Sequence, residues 1–259
     1  MLGAIAGDMV GSVYEGRPVK TTDFPLFLNH SRYTDDSVLT VAVGHAILED
    51  RDYASALREF GQRHPRAGYG GTFIRWLADE SMGSYNSWGN GSAMRVSAVG
   101  HAWDTVDEVL EQAKRSAEVT HDHPEGIKGA QAVALAVLMA RQGADKDGIR
   151  REVSERFGYD MSRSLDHIRP GYGFDVSCQG SVPEALIAFL ESDDFEGALR
   201  NAVSLGGDAD TQACVAGAVA QPFYGGVPAA VAEEVGKRLP PDLAEILERF
   251  GRRYPSSVR

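Results

Sequence analysis

Apolar residues recur every three to four positions along most of the chain, which is the spacing of one face of a helix. Segments that alternate between apolar and polar residues over several positions, as a half-buried strand does, are scarce. The pattern therefore predicts an all-α fold. Helices are expected at 38–48, 106–117, 127–140, 182–190, 195–204, 211–220 and 242–250.

Residues typical of helix ends flank several of these segments. Thr105 with Glu108, and Ser181 with Glu184, have the spacing of a capping box, in which two side chains satisfy free amides at a helix start. Gly143 follows the segment at 127–140, where a glycine can adopt the left-handed conformation that ends many helices. These residues predict helix starts beside Thr105 and Ser181 and a helix end before Gly143.

Between the predicted helices lie irregular stretches at 15–32, 68–91 and 160–180, which are rich in Gly, Ser, Asn, Tyr and Pro. Long loops inside a compact domain are often functional. No internal repeat and no low-complexity linker divides the chain. We therefore expect one compact helical domain over residues 1–259, with these loops gathered over one face.

Small residues also follow a pattern. Gly3, Gly7 and Gly11 recur every four residues, so they form one stripe if this segment is helical. The segment at 211–220 likewise consists mainly of small residues. A stripe of this kind allows another helix to approach closely, and both segments are expected to form central packed helices.

Composition favours an ordinary soluble protein and argues against a nucleic-acid binder. Of the 259 residues, 43% are hydrophobic and 24% are charged, and the formal net charge is -11. A nucleic-acid-binding protein usually presents a basic surface, and no run of Lys or Arg occurs here. When so acidic a protein binds a phosphate-bearing ligand, metal ions and helix N-termini are the usual means of offsetting the ligand's charge.

Cysteine usage and the first residues favour a cytoplasmic protein. Cys178 and Cys214 are the two cysteines, and neither belongs to a zinc-binding pattern. A reduced protein is the simpler interpretation, with one disulfide as the alternative. Residues 1–12 lack a basic start and are interrupted by Asp8, unlike a signal peptide. No apolar run reaches the ~18 residues that a membrane span needs, so no membrane partner is expected.

Two short acidic motifs each stand directly before an apolar helix. Their polar residues are Thr34, Asp35, Asp36, Asp208, Asp210 and Thr211. Acidic residues at a helix start often only cap the helix and interact with its dipole, as Asp193 and Asp194 are expected to do. Each motif, however, supplies more oxygen atoms than one cap can use. Both also lie next to apolar segments, where an unpaired carboxylate is costly.

Hard oxygen ligands from Asp and Thr suit Mg²⁺ or Mn²⁺. Four Asp carboxylates are enough to hold two ions in a two-metal hydrolytic site. A calcium-binding EF-hand is disfavoured, because counting from Asp208 puts Ala213 and Val219 where that loop needs Gly and Glu. The motifs therefore indicate a site for Mg²⁺ or Mn²⁺, with enough carboxylates to hold two ions.

Both acidic motifs belong to a longer series of motifs that runs through the chain. The members are Gly3-Ala4-Ile5-Ala6-Gly7-Asp8 with Glu15, Tyr33-Thr34-Asp35-Asp36-Ser37, Gly89-Asn90-Gly91-Ser92-Ala93-Met94-Arg95, Thr120-His121, and Gly206-Gly207-Asp208-Ala209-Asp210-Thr211. Together and in this order they resemble the ADP-ribosylglycohydrolase family, of the dinitrogenase reductase-activating glycohydrolase type. Ser37 and Ala209 depart from the residues common in that family, and neither departure removes a presumed ligand oxygen.

The resemblance implies a compact orthogonal bundle of helices that holds two magnesium ions. It assigns the role of metal ligand to Thr34, Asp35, Asp36, Asp208, Asp210 and Thr211. Glu15 would lie on a loop near the metals, and Glu15 and Asp35 are the expected catalytic acid or base. The residues expected to border bound ADP-ribose are Asn90, Gly91, Ser92, Met94 and His121.

The activity that the resemblance implies is hydrolysis of the glycosidic bond between ADP-ribose and an acceptor, which reverses ADP-ribosylation. The acceptor would be a protein side chain such as Arg or Ser, or a small adduct of ADP-ribose. Two alternatives stay open at this point. One is an ADP-ribose-binding or structural member of the same fold without catalysis, and the other is a two-metal pyrophosphohydrolase that releases AMP.

Overall fold

The computed structural model describes residues 1–255, so the last residues of the predicted domain, 256–259, lie outside the described part. The helices in chain order are α1 (Leu2–Gly11), α2 (Asp35–Leu48), α3 (Tyr53–Arg63), α4 (Gly71–Ala78), α5 (Gly91–Met94), α6 (Ser97–Ala102), α7 (Val106–Glu118), α8 (Pro124–Arg141), α9 (Lys146–Phe157), α10 (Leu165–Ile168), α11 (Cys178–Leu190), α12 (Phe195–Val203), α13 (Ala209–Phe223), α14 (Ala229–Arg238) and α15 (Pro241–Arg253).

The prediction of an all-α fold is confirmed, because residues 1–255 contain no β-strand. An isolated backbone bridge pairs Gly89 with Ser177 and joins two of the loops that were expected over the functional face. None of the helices in this part of the chain combines the length and the apolar character that crossing a membrane requires.

Each helix expected from the apolar pattern is present within a few residues of its predicted bounds. Two helices, α4 and the short α10, lie inside the stretches at 68–91 and 160–180 that were expected to be irregular, so that prediction is wrong there. The glycines on both sides of α4 conceal this helix in the sequence. Its formation follows from one short apolar face, because Phe73, Trp76 and Leu77 are all buried.

Of the two predicted capping boxes, the helix start at Thr105 is confirmed with one of the two expected amide bonds, and the start at Ser181 is wrong. The Thr105 hydroxyl accepts a hydrogen bond from the Glu108 amide at the start of α7. The helix expected to begin after Ser181 instead begins at Cys178, because the Ser177 hydroxyl accepts from the Gly180 amide at 3.0 Å and caps it. The Ser181 hydroxyl lies inside the helix and donates to the Ser177 carbonyl at 2.6 Å.

The stripe of small residues in α1 packs directly along α13. A Cβ atom added to Gly3, Gly7 or Gly11 would overlap the backbone carbonyl of Gly217, Ala213 or Ala209, respectively. The order of these pairs makes the two helices antiparallel, so that the end of α1 lies beside the start of α13. The expected role of the stripe in close helix packing is confirmed.

This packing determines where the acidic residues of α1 and its following loop lie. Asp8 is fully buried in α1, at the level where α2 begins. The chain leaves α1 at Gly11, which lies against Ala209 at the first turn of α13. The starts of α2 and α13, which carry the two acidic motifs, therefore meet beside the loop that carries Glu15.

Candidate active site

A cavity of about 360 Å³ opens at the starts of α2, α5 and α13. Ten of the residues expected at the site line it: Glu15, Asp35, Asp36, Asn90, Gly91, Met94, His121, Asp208, Asp210 and Thr211. The lining does not include Thr34 and Ser92. The Ser92 side chain is fully buried and its hydroxyl donates to the Gly126 carbonyl at 2.7 Å, so its contact with a ligand would have to be through the backbone.

Asp8 holds the start of α2 in place. Its carboxylate accepts from the Thr34 amide at 2.9 Å, from the Thr34 hydroxyl at 2.7 Å, from the Ser37 amide at 3.1 Å and from the Ser37 hydroxyl. Burial still raises its pKa to about 6, because the hydrogen bonds offset only part of the lost hydration. Asp8 therefore holds the first acidic motif in position from the side of α1.

Thr34 has two partners inside the protein. Besides donating to Asp8, its hydroxyl oxygen accepts from the Asp36 amide at 3.2 Å and so caps α2. This cap starts the helix at Asp35, earlier than the apolar pattern indicated, and places both motif carboxylates in the first turn. One lone pair of the hydroxyl oxygen is left for a further contact.

The carboxylates of Asp36 and Asp210 are buried, and each is repelled by another carboxylate nearby. The pKa of each is raised well above its usual value, first by burial and next by a neighbouring carboxylate, which is Asp210 for Asp36 and Asp208 for Asp210. The Oδ2 atom of Asp36 has no hydrogen-bond partner although it is buried. A buried carboxylate oxygen without a donor is costly, and a cation would satisfy it.

Two glycines shape the turn that presents the second motif. Gly206 has a φ of +67°, which favours glycine, and a Cβ atom at Gly207 would lie 2.5 Å from Cε1 of Tyr172. Asp208 follows at the N-terminus of α13, where the Asn90 amide donates to its Oδ2 at 2.8 Å. Asn90, expected to border the ligand, therefore also orients an acidic residue of the site.

Glu15 completes the acidic cluster from the loop after α1. One carboxylate oxygen of Glu15 lies within 4.8 Å of oxygens of Asp208 and Asp210, a separation suited to shared metal coordination. Although the residue as a whole is exposed, its carboxylate is partly shielded from solvent, and this raises its pKa. The charge of Asp208 raises the pKa further. Asp35, at the cavity wall, has its pKa raised to about 7 by burial and then by Asp8.

The cluster has the properties of a divalent-cation site. Within residues 1–255, no Lys or Arg forms an ion pair with Glu15, Asp35, Asp36, Asp208 or Asp210. The carboxylates therefore have no basic ion-pair partner in this part of the protein, although the charge of Arg32 acts on Glu15 from a longer distance and lowers its pKa. All available donors are hard oxygen atoms, which suit Mg²⁺ and Mn²⁺. The residues present thus fit such ions.

The cavity lining also includes a positive charge that the sequence did not reveal. Arg95 is fully buried and lines the cavity, and its Nη2 donates to the Ser116 carbonyl at 2.8 Å and to the Thr120 hydroxyl at 2.9 Å. Its Nε and Nη1 atoms are buried without a partner. A lone arginine between the small and apolar residues Ala93, Met94 and Val96 was the available signal for this group.

Apolar side chains surround the mouth of the cavity. Phe174 and Val176 line it and are 61% and 42% exposed, and Trp88, which precedes the lining residue Gly89, is 47% exposed. These residues come from the irregular stretches, where no periodicity distinguishes them. They form the surface that a bound molecule would meet first.

A family model of the ADP-ribosylglycohydrolases matches residues 1–256. The chain belongs to this family. ADP-ribosylhydrolase ARH3 of Gallus gallus is 28% identical to it, over 87% of this chain and 84% of that protein. ADP-ribosylarginine hydrolase Tri1 of Pseudomonas putida is 26% identical, over 91% of this chain and 72% of that protein.

A solved structure of an ADP-ribosylglycohydrolase-related protein complex has the same fold. It superposes with a TM-score of 0.68 at 25% identity, and the match covers 96% of this chain and 96% of that one. The family assignment made from the motifs and the fold implied by it are therefore both confirmed. The acidic cluster and the cavity of this ADP-ribosylglycohydrolase lie wholly inside the region that the family model matches.

Proposed function

We propose that this ADP-ribosylglycohydrolase is a divalent-metal-dependent hydrolase that cleaves the glycosidic bond between ADP-ribose and an acceptor. The observation that carries the proposal is the arrangement of the cavity. Its lining combines a cluster of carboxylates, with an unpaired buried oxygen on Asp36, and the guanidinium of Arg95, whose Nε and Nη1 have no partner. Such a cavity suits a ligand with a sugar diol at one end and phosphates further along. Family membership and the named relatives support the same activity.

The residues that would hold the metal are those of the two acidic motifs: Thr34, Asp35, Asp36, Asp208, Asp210 and Thr211. When bound, two Mg²⁺ or Mn²⁺ ions would orient the sugar hydroxyls and lower the pKa of a coordinated water. Asp8 and Asn90 would hold this ligand set in position, because they hydrogen-bond to Thr34 and to Asp208.

Glu15 is the preferred proton-transfer group. Glycosidic cleavage develops positive charge on the sugar ring, which nearby carboxylates stabilise, and the leaving group or the attacking water needs a proton donor or acceptor. The raised pKa of Glu15 brings it closer to neutral pH, where an acid or base catalyst works best. Asp35 is the second candidate, since it also lines the cavity and has a raised pKa.

The diphosphate would lie along the segment 89–92, between the acidic cluster and the buried arginine. Gly89 and Gly91 leave room beside the His121 ring, since a Cβ atom at Gly91 would lie only 3.1 Å from its Nε2. Backbone amides and the N–H groups of Arg95 and His121 would then face the phosphate oxygens.

The test is product analysis with peptides that carry ADP-ribose on Arg or on Ser, each incubated with Mg²⁺ or with EDTA. We expect intact ADP-ribose to be released with Mg²⁺ and not with EDTA, and the faster peptide identifies the linkage. The Glu15→Gln variant keeps the size of the side chain. It is expected to retain ADP-ribose binding but to hydrolyse the modified peptides much more slowly. Release of AMP would instead indicate a pyrophosphohydrolase, and tight binding of ADP-ribose without any product would indicate a binding protein.

A further inference from the structure

A second cavity lies at the other end of the pair formed by α1 and α13. It has a volume of about 510 Å³ and is lined by residues of α1, α6, α13, α14 and α15. Leu2 at the start of α1 and Gln221 near the end of α13 both line it. With a helical rise of ~1.5 Å per residue, Gln221 lies roughly 16 Å along α13 from Asp210. This cavity is therefore separate from the active site.

The lining of this cavity is mainly apolar, and Val235 and Phe250 are buried in it. Among the lining residues within 1–255, Glu248 has the one charged side chain, which is 70% exposed and pairs with Arg252. The amino group of Met1 is buried, and burial lowers its pKa to about 5, so it is uncharged near neutral pH. A charged molecule would therefore lose hydration here without meeting a buried countercharge, which is costly.

One polar side chain of the lining is buried without a partner. His101 of α6 is 2% exposed, and neither of its ring nitrogens has a hydrogen-bond partner within the described residues 1–255. Buried polar side chains nearly always have at least one. The side-chain oxygen of Gln221, by contrast, already accepts from the Gly3 amide at 2.7 Å. The imidazole of His101 is thus the group that a molecule in this cavity would satisfy.

The chemistry of this imidazole indicates the class of ligand. Burial lowers the pKa of His101 well below its usual value, so the ring is neutral at physiological pH. A neutral imidazole offers one N–H donor and one acceptor nitrogen. A hydroxyl group can pair with either nitrogen and brings no charge into the cavity. An apolar cavity of about 150 Å³ is enough for benzene, so this larger cavity has room for the apolar body of such a molecule.

We propose that this cavity is a second binding site, that it takes a neutral apolar molecule with one hydroxyl group, such as an alkylphenol, and that the hydroxyl group hydrogen-bonds to His101. The proposal is independent of the proposed function, because the two cavities share no lining residue. It also assigns a role to a buried histidine that the proposed hydrolysis does not use.

The first test measures binding of p-ethylphenol to the full chain by calorimetry. The wild-type protein should bind it saturably, and the anionic p-ethylbenzoate should bind at least about tenfold more weakly, because its charge would be buried. Gly236→Leu and Gly251→Leu should each weaken binding of p-ethylphenol strongly. Both glycines line the cavity and have no atom within 4 Å of an added Cβ atom, so a leucine can occupy the space without displacing the backbone.

The control for these variants is Gly83→Leu, which adds the same side chain to a glycine with open space outside the lining and should bind p-ethylphenol as the wild type does. Three results would overturn the proposal. They are wild-type protein that does not bind p-ethylphenol, binding by both leucine variants that is as tight as by the wild type, and tighter binding of p-ethylbenzoate. A wild-type dimer that Gly251→Leu abolishes, seen by light scattering, would also overturn it, because a second copy would then cover the cavity.

The second test isolates the hydrogen bond to His101. The compounds p-ethylphenol and p-ethyltoluene have nearly the same shape, with a hydroxyl group in one and a methyl group in the other. His101→Phe keeps an aromatic ring and removes both nitrogens. The ratio of the affinity for p-ethylphenol to that for p-ethyltoluene should therefore fall by about tenfold in this variant, as expected for one buried hydrogen bond.

The control for this ratio is His45→Phe, which replaces a histidine outside the cavity whose Nδ1 is likewise buried without a partner in the described part of the chain. It should leave the ratio unchanged. Thermal unfolding verifies that both variants are folded. An unchanged ratio in folded His101→Phe would contradict the proposal, and the leucine variants test the site even if His101→Phe does not fold.

Discussion

A carboxylate oxygen of Glu15 lies within 4.8 Å of a carboxylate oxygen of Asp210, although the two residues are far apart in the sequence. The antiparallel contact of α1 with α13 creates this proximity. The loop that carries Glu15 leaves α1 at Gly11, and Gly11 lies against the first turn of α13, which carries Asp210. The active site therefore depends on a helix contact that only small residues allow.

Gly7 provides a test of this dependence. A Cβ atom at Gly7 would overlap the carbonyl of Ala213, so Gly7→Ala is expected to lower the free energy of unfolding by about 3 kcal/mol or more. The matched control is Gly236→Ala in α14, where nothing lies within 4 Å of the added atom. The control should be stabilised by about 0.5–1 kcal/mol, because alanine has the higher helix propensity. Denaturant unfolding of both variants measures the two effects, and equal stabilities would refute the packing argument.

Asp210→Asn is expected to have opposite effects on stability and activity. It replaces a buried carboxyl, whose ionisation is disfavoured in the folded protein, with a neutral amide, so the metal-free variant should unfold at a higher temperature than the metal-free wild type. The variant should also lose most of its stabilisation by Mg²⁺ and at least about a hundredfold of kcat, since a metal ligand is missing. Thermal unfolding and turnover assays check both effects. If Asp210→Asn or Asp35→Ala turned over substrate at the wild-type rate, the assignment of that residue to the active site would be wrong.

The stability of the metal-free protein should fall as the pH rises from about 4 to about 7. Burial raises the pKa of Asp8 to about 6, and burial together with neighbouring carboxylates raises that of Asp35 to about 7, above the value of 3.8 expected when unfolded. These carboxyls therefore bind more protons in the folded protein than in the unfolded chain in this range, and the loss of those protons destabilises the fold. The buried imidazoles of His101 and His121, whose pKa burial lowers, act in the opposite direction but are fewer than the carboxyls with a raised pKa. Saturating Mg²⁺ should reduce this fall, because it favours the charged carboxylates. Unfolding temperatures measured across this range, with and without Mg²⁺, test the expectation. A metal-free protein that becomes more stable as the pH rises would contradict it.

Lys20 is expected to hold the Glu15 loop against the rest of the site. Its Nζ donates to the carbonyls of Tyr172 and Leu205, at 2.6 and 2.5 Å, and so ties three loops together. Lys20→Met should lower kcat by roughly tenfold to a hundredfold, because a misplaced catalytic group slows chemistry more than it weakens binding. Metal affinity should change little. The control Lys146→Met removes another ammonium that donates to a backbone carbonyl, away from the cavity, and should leave kcat unchanged. If the kcat of Lys20→Met equals that of Lys146→Met, the position of the Glu15 loop does not depend on the hydrogen bonds of Lys20.

The helices with long apolar faces and the acidic motifs could be predicted from the sequence, because periodicity and clustered carboxylates are local signals. It placed Asp208 and Asp36 in one site through ligand chemistry and the family resemblance and not through a local pattern, since their proximity depends on the tertiary packing of α1, α2 and α13. The role of Arg95 was not predicted, although the residue ends one of the motifs, because a single basic residue in an apolar segment has no local pattern. The start of α11 was misplaced because Ser177 and Ser181 are both plausible caps, and only the folded chain distinguishes them.

The most direct measurement is equilibrium dialysis of the wild-type protein and of Asp210→Asn against Mn²⁺, with Mg²⁺ as the competitor. If the two acidic motifs form one binuclear centre, the wild-type protein should bind two Mn²⁺ ions per chain, Mg²⁺ should displace them, and Asp210→Asn should bind fewer or bind them much more weakly. Wild-type protein that binds no more Mn²⁺ than the variant would contradict the metal site on which the proposed chemistry depends.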